Sequence, residues 1–320
     1  MNDTQEQQWS TLIHKIRAEL CTPILGAGAA QHLLPLAKDL AEKLLQHQER
    51  KHGKSPLSNR GDLAQVSQYI AVQCEDNFVP KIMIAEHLRA HLAAPPKPKP
   101  TATTGLAEDP ANEPHRALAA LRLPIYLTTN YDNLMYRALE DLGAKPVREF
   151  ARWNSPLLEK FPSRFDSGYE PSSAEPLVFH IHGHWDAPES MIATEDDYLD
   201  FIVNISRDLA MSPRDASKKV MLPTRVRRAL TGTTLLFIGY SLADINFRII
   251  LRGLLGPLEP SARHKSVSVQ YCNGQPGELE KYIEEYFGYT LSLNVFWCSA
   301  HEFCRKLSAK MALVRSASAG

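Results

Sequence analysis

The sequence predicts an α/β protein built on a doubly wound parallel sheet. Three observations predict it. Short apolar runs recur along the chain and alternate with segments whose apolar residues repeat at helical spacing. Several of these runs are continuously apolar, as strands buried on both faces should be. The runs also end in small or polar residues, at the strand ends where open parallel sheets bind ligands.

The elements follow in order. "TPILGAG" gives a strand at Thr22–Leu25 that runs into a glycine turn. A helix follows, with Leu33, Leu36, Ala37, Leu40, Leu44 and Leu45 forming one stripe. "HQERKHGKSPLSNRGD" is a polar linker, and residues 62–73 and 81–92 are helical. "AAPPKPKPTATTG" is too rich in proline for regular structure. "LPIYLTT" is the next strand, followed by a helix over 131–142. "PLVFHIHG" is a strand. "TEDDYLDFIVNISRDLA" is a helix with Thr194 as N-cap and Asp197 placed nearly as in a capping box. "TTLLFIGYS" is the most apolar strand, and the helix "LADINFRIILRGLL" follows it. "KSVSVQY" and "LSLNVFW" are strands that alternate with the helices "PGELEKYIEEYF" and "AHEFCRKLSAKMA". The expected organisation is a single domain over 1–320. A helical insertion or small lobe at about 40–115 interrupts the strand–helix rhythm.

Composition narrows the function classes. Lys plus Arg and Asp plus Glu both number 36, so no net charge draws the chain to nucleic acid or to an anionic membrane. The basic stretch "TRVRRAL" at Thr224–Leu230 reads as a solvated helix face. Cys21, Cys74, Cys272, Cys298 and Cys304 are scattered, with no closely spaced pair. That argues against a disulfide framework and a zinc ribbon. The start "MNDTQEQQWSTLIHKI" has no apolar leader, and no run reaches bilayer length. A soluble, cytoplasmic protein is expected.

Four strand ends carry the chemistry. The first is Gly26-Ala27-Gly28, a tight turn that brings backbone N–H groups near a phosphate, or simply a turn. The second is Thr128-Thr129-Asn130-Tyr131-Asp132. The third is His180-Ile181-His182-Gly183-His184. The fourth is Gly239-Tyr240-Ser241-Leu242-Ala243-Asp244. Each has a plain reading alone: Asn130, Asp132 or Ser241 as a helix cap, His182 as a core histidine. Four polar clusters ending four apolar strands are harder to obtain from capping.

Three other stretches resemble known motifs. "HGKS" ends like a phosphate loop, but Gln48 stands where the first glycine must be. His180 and His182 share a strand face and could ligate a metal, given further ligands. "GYSLA" resembles a nucleophile elbow, which needs an acid and a later histidine; His264 and His301 sit in no such motif.

Taken together, "GAG", "TTNYD", "HGH" and "GYS" resemble the sirtuin superfamily. "TEDDYLDFI" and "FIGYSLADINFR" are closer to its bacterial sirtuin-like NADase branch, associated with anti-phage defence. The similarity spans about residues 20–255. It implies a Rossmann-like, sirtuin-like fold and NAD as substrate. By that resemblance Gly26, Ala27 and Gly28 would cradle the pyrophosphate. Asn130 would orient ribose or water, Asp132 would hold the nicotinamide amide, and His182 would act as base. Ser241 would lie near phosphate and adenosine ribose, with Thr129, Gly239 and Asp244 in the same binding set. The sequence departs from the family pattern at Thr129, a glutamine there, and at His184, a serine or threonine there. It also lacks the four-cysteine zinc module of the protein deacylases, so no zinc is expected.

The resemblance therefore implies NAD+ hydrolysis or cyclisation. The alternatives are an NAD or ADP-ribose sensor without turnover, or an NAD-dependent deacylase. Breaking the bond between ribose and a cationic nicotinamide passes through an oxocarbenium-like state. It calls for a held nicotinamide, a stabilised positive charge and a histidine titrating near neutral pH. An NADase needs control. A homo-oligomer, or a partner in trans such as a ring ATPase or an Argonaute-like protein, is the expected source.

Overall fold

The computed structural model describes residues 3–93, 112–210, 221–242, 248, 264–272 and 276–317. Its strands are β1 (Cys21–Leu25), β2 (Ile125–Thr128), β3 (Val147–Phe150), β4 (Leu177–His180), β5 (Thr234–Ile238), β6 (Ser266–Gln270) and β7 (Leu293–Trp297). They form one sheet in the order β3-β4-β2-β1-β5-β6-β7, and every pairing is parallel. The order runs one way from β1 through β2 and the other way through β5. The crevice between β1 and β5 is therefore the switch point where such sheets bind ligands.

Successive strand residues face opposite layers, as a period of two requires. Leu127, Phe179, Leu235 and Phe237 point to one layer. There they meet α8 (Glu195–Ala210) through Phe201 and Ile205, and α9 (Thr224–Gly232) through Val226 and Leu230. Tyr126, Val178, Leu236 and Ile238 point to the other. That layer holds α1 (Asp3–Arg17), α5 (Pro114–Ala119), α6 (Leu134–Asp141) and α11 (Ala300–Ala317). The remaining helices are α2 (Ala37–His52), α3 (Leu63–Cys74), α4 (Phe78–Ala93), α7 (Ser155–Lys160) and α10 (Glu278–Leu291). Helices α2, α3 and α4, inserted between β1 and β2, enclose a third apolar cluster with Trp185 and Met191. Among the described residues no helix is long and apolar enough to cross a membrane.

Several elements differ from the sequence expectation. The helix after the glycine turn begins at Ala37, well past Leu33, and Leu36 is exposed. Pro35 has no backbone N–H and disfavours helical geometry in the residue before it. Only a single 3-10 turn, Ala27–Ala29, follows the glycines directly. The polar linker is partly helical, since α2 continues to His52. Strand β3 was not expected. Arg148 and Glu149 interrupt its apolar character, as suits an edge strand. Helix α1 was not expected either, although Trp9, Leu12, Ile13 and Ile16 form a buried helical stripe. The capping box at α8 forms as expected: Thr194 Oγ1 accepts from Asp197 N–H, and Asp197 Oδ2 accepts from Thr194 N–H. The helix expected at "LADINFRIILRGLL" and the proline-rich loop lie largely or wholly outside the described residues.

Candidate functional site

The carboxyl ends of β1, β2, β4 and β5 surround one cavity of about 430 Å³. Ala27, Thr129, Asn130, Asp132, His182, Gly239 and Ser241 line it. Seven of the expected site residues thus share one space. Gly26 and Gly28, on either side of Ala27, are not among the lining residues. Asp244 lies outside the described residues.

The floor is held by backbone. Gly26 N–H donates to Ile238 O and Gly28 N–H to Gly239 O, each at 2.9 Å. A Cβ on Gly26 would lie 2.7 Å from Gly239 O, and one on Gly28 would lie 3.0 Å from Gly239 Cα. Gly239 has φ +83°, and a Cβ there would lie 2.1 Å from Ala29 N. The three glycines let the ends of β1 and β5 cross in contact. Both glycine amides are engaged within the protein, so the cradle expected for a pyrophosphate does not have them free.

The Leu25 carbonyl at the end of β1 collects three donors. They are Thr129 N–H at 3.1 Å, the Thr128 hydroxyl at 3.2 Å and the Tyr240 hydroxyl at 2.8 Å. Because Tyr240 donates to Leu25, its oxygen accepts from the Thr129 hydroxyl at 3.0 Å. Asn130 follows. Its side-chain NH₂ donates to Gly26 O at 3.2 Å, and its backbone carbonyl accepts from His180 Nδ1 at 2.9 Å. That bond places the His180 proton on Nδ1. The polar tip of β2 is thus tied to β1, β4 and the loop after β5.

Asp132 is buried, and Oδ1 accepts from Leu134 N–H at 2.9 Å. The cap position of α6 is Asn133, whose side chain makes no cap bond; Asp132 satisfies the first helical amide from one residue outside it. That bond does not remove Asp132 from the cavity. Burial raises its pKa above the ordinary aspartate value, and His115 opposes that rise.

His182 is buried edge-on to Tyr198 and Phe201, with ring centroids 5.4 and 5.6 Å away. Its Nε2 has no hydrogen-bond partner. Burial lowers its pKa to about 3, so the ring does not titrate near neutral pH as the sequence reading expected. It is a neutral imidazole beside the cavity. Gly183, with φ +82°, turns the chain sharply after it; a Cβ there would meet Ser190 O at 2.2 Å. His180 and His184 pack edge-to-face at 4.7 Å. Among the described residues no three metal-ligating side chains converge.

The inserted helices supply part of the lining. Asn59, Gly61, Asp62, Leu63 and Ala64, before and at the start of α3, line the cavity together with the strand ends. Tyr131, Tyr198 and Tyr240 complete the aromatic part of its wall. The strand-end argument does not reach Asp62 or Tyr198. Asp62 carries a readable cap signal before α3, but nothing in sequence turns it toward β2.

A family model described as SIR2-like domain matches residues 124–290. The chain belongs to the SIR2-like family. It is similar to the NAD(+) hydrolase ThsA of Cytobacillus dafuensis, 29% identical over 145 residues, which are 45% of this chain and 24% of that protein. It is similar to the NAD(+) hydrolase ThsA of Acinetobacter baumannii (strain 532279), 26% identical over 52% of this chain and 28% of that protein. The protein of the same name from Bacillus cereus (strain MSX-D12) is 24% identical over 54% of this chain and 31% of its own length. The aligned chain spans about a quarter to a third of these curated relatives. The SIR2-like match contains β2, β4 and β5, and so the Asn130, Asp132, His182 and Ser241 ends.

Proposed function

We propose that this SIR2-like chain is an NAD+ glycohydrolase. The observation that carries the reading is the gathering of Asn130, Asp132 and His182 about one cavity. The similarity to proteins named NAD(+) hydrolase supports it. The reaction breaks the bond between the ribose anomeric carbon and the nicotinamide nitrogen. The bonding pair stays on nicotinamide and neutralises its charge. Water, or a ribose hydroxyl in a cyclising reaction, bonds to the carbon, and its proton passes to solvent.

Each residue has a task that its surroundings suit. Asp132 holds the nicotinamide amide and offers negative charge to the oxocarbenium-like state. Asn130, tied on its NH₂ side to Gly26, orients the ribose or the attacking water with its amide oxygen. His182 lines the cavity as a neutral imidazole and orients the nucleophile. The walls of Tyr131, Tyr198 and Tyr240 limit water near the reacting carbon.

The test is nicotinamide release from NAD+ by the purified protein. His182→Ala and Asn130→Ala should each lower kcat about 100-fold with the fold intact. Wild-type rates in both variants would defeat the assignment. As part of the same reading, the activity serves as an NAD-depleting effector in anti-phage defence, held in check by self-assembly or by a partner chain.

A further inference from the structure

Three anchors that could take the substrate's pyrophosphate are already used. The amides of Gly26 and Gly28 donate to Ile238 and Gly239 carbonyls. The start of α3 also faces the cavity, but the Asp62 carboxylate fills it. Asp62 Oδ1 accepts from Ala64 N–H at 3.0 Å and from Gln65 N–H at 3.2 Å. No lysine or arginine is among the described residues lining the cavity, whereas two carboxylates, Asp62 and Asp132, are. A wall whose described residues include two carboxylates and three tyrosines, and no lysine or arginine, suits the positively charged half of a dinucleotide.

We propose that Asp62 is a specificity-determining residue, with which the cavity selects a pyridinium ribonucleoside over its uncharged dihydro form. The proposal rests on the reading of this cavity as the NAD+ site. Both cap bonds fall on Oδ1, so Oδ2 is outside the cap and its charge is available to the ligand. Asp132, after β2, and Asp62, at the start of α3, line the same cavity. A cationic ring in that cavity meets negative charge from both. In the dihydro form the ring carries no charge, and that attraction vanishes.

The experiment compares binding of nicotinamide riboside with that of its dihydro form by calorimetry, in wild type, Asp62→Asn and Asp62→Ser. Asn and Ser cap helices about as well as Asp, so both keep the start of α3 while removing the charge. Wild type should prefer the cationic form, and both variants should lose about fivefold of that preference. Their melting temperatures should stay close to wild type. An unchanged preference in both variants would overturn the proposal. So would a loss that tracks a fall in melting temperature, because Asp62 would then act only as a cap. NAD+ turnover is measured alongside. A wild type that prefers the cation yet never releases nicotinamide would sink the proposed hydrolysis and leave the role of Asp62 standing. A wild type that hydrolyses NAD+ but does not distinguish the two ribosides would do the reverse.

Discussion

At the scale of single residues, the site depends on side chains kept neutral or poised by burial. Desolvation lowers His180 to about 4 and His182 to about 3, against an ordinary value near 6.5. Such a ring contributes stability above the unfolded pKa. That contribution is lost as pH falls from about 6.5 through the folded values, because the unfolded chain binds protons first. The expected result is a fall in unfolding free energy between about pH 6.5 and pH 3, of roughly 3 kcal/mol per ring. Chemical denaturation across that range checks it. The double variant His180→Phe with His182→Phe should make the fall shallower and leave the part that belongs to the buried His184, whose pKa desolvation also lowers.

Asp132 shifts the other way. Its carboxyl ionises above the usual aspartate range, and the ionised form is the one assigned to hold the substrate. The acid limb of kcat/KM should therefore lie above pH 3.8 and belong to Asp132, because His182 is still neutral there. Asp132→Asn should abolish that limb as well as lower the rate. A limb that stays in this variant would assign it to another group.

At the scale of elements, the crossing of the ends of β1 and β5 is the tightest feature. Gly239→Ala forces a side chain into positive φ and onto Ala29 N. It should destabilise the protein by about 2 kcal/mol or more, readable in thermal melts, and weaken binding at the cavity floor. The elements also show what was legible in sequence. β1, β2, β4, β5, β6 and β7 announced themselves as apolar runs. β3 did not, because an edge strand needs only a few inward residues, and Arg148 and Glu149 can stay polar. Helix α1 was legible in principle: Trp9, Leu12, Ile13 and Ile16 fit the helical period, but a start read only for an apolar leader hides them. Asn130, Asp132 and His182 were legible because polar residues capping buried strands need a reason. Asp62 and Tyr198 were not, because the packing of α3 and α8 against the sheet decides which way they face.

At the scale of the molecule, the inserted helices are joined to the sheet by a buried ion pair. Lys81 Nζ on α4 lies 2.9 Å from Asp197 Oδ1 at the start of α8. Asp197 Oδ2 accepts from Ala193 and Thr194 N–H. Gln68 on α3 reaches Asp196 beside it. Lys81→Met would leave the Asp197 charge buried with its amide donors alone, and should cost about 3 kcal/mol or more. Because the insertion carrying Asp62 sits on this junction, KM for NAD+ should rise more than kcat falls. Steady-state kinetics beside a melting curve checks both effects. A drop in kcat alone would detach the junction from substrate binding.

The central position of β1 has a consequence for synthesis. Ile24 pairs with Leu127 on one side and Phe237 on the other. The middle strand leaves the ribosome early, and its two neighbours follow roughly a hundred and two hundred residues later. For most of translation it is an apolar ribbon with both edges open, the kind of segment that sticks to its like. Slowing elongation, or withholding chaperones during expression, should therefore harm the yield of folded protein far more than heating the finished molecule by a few degrees.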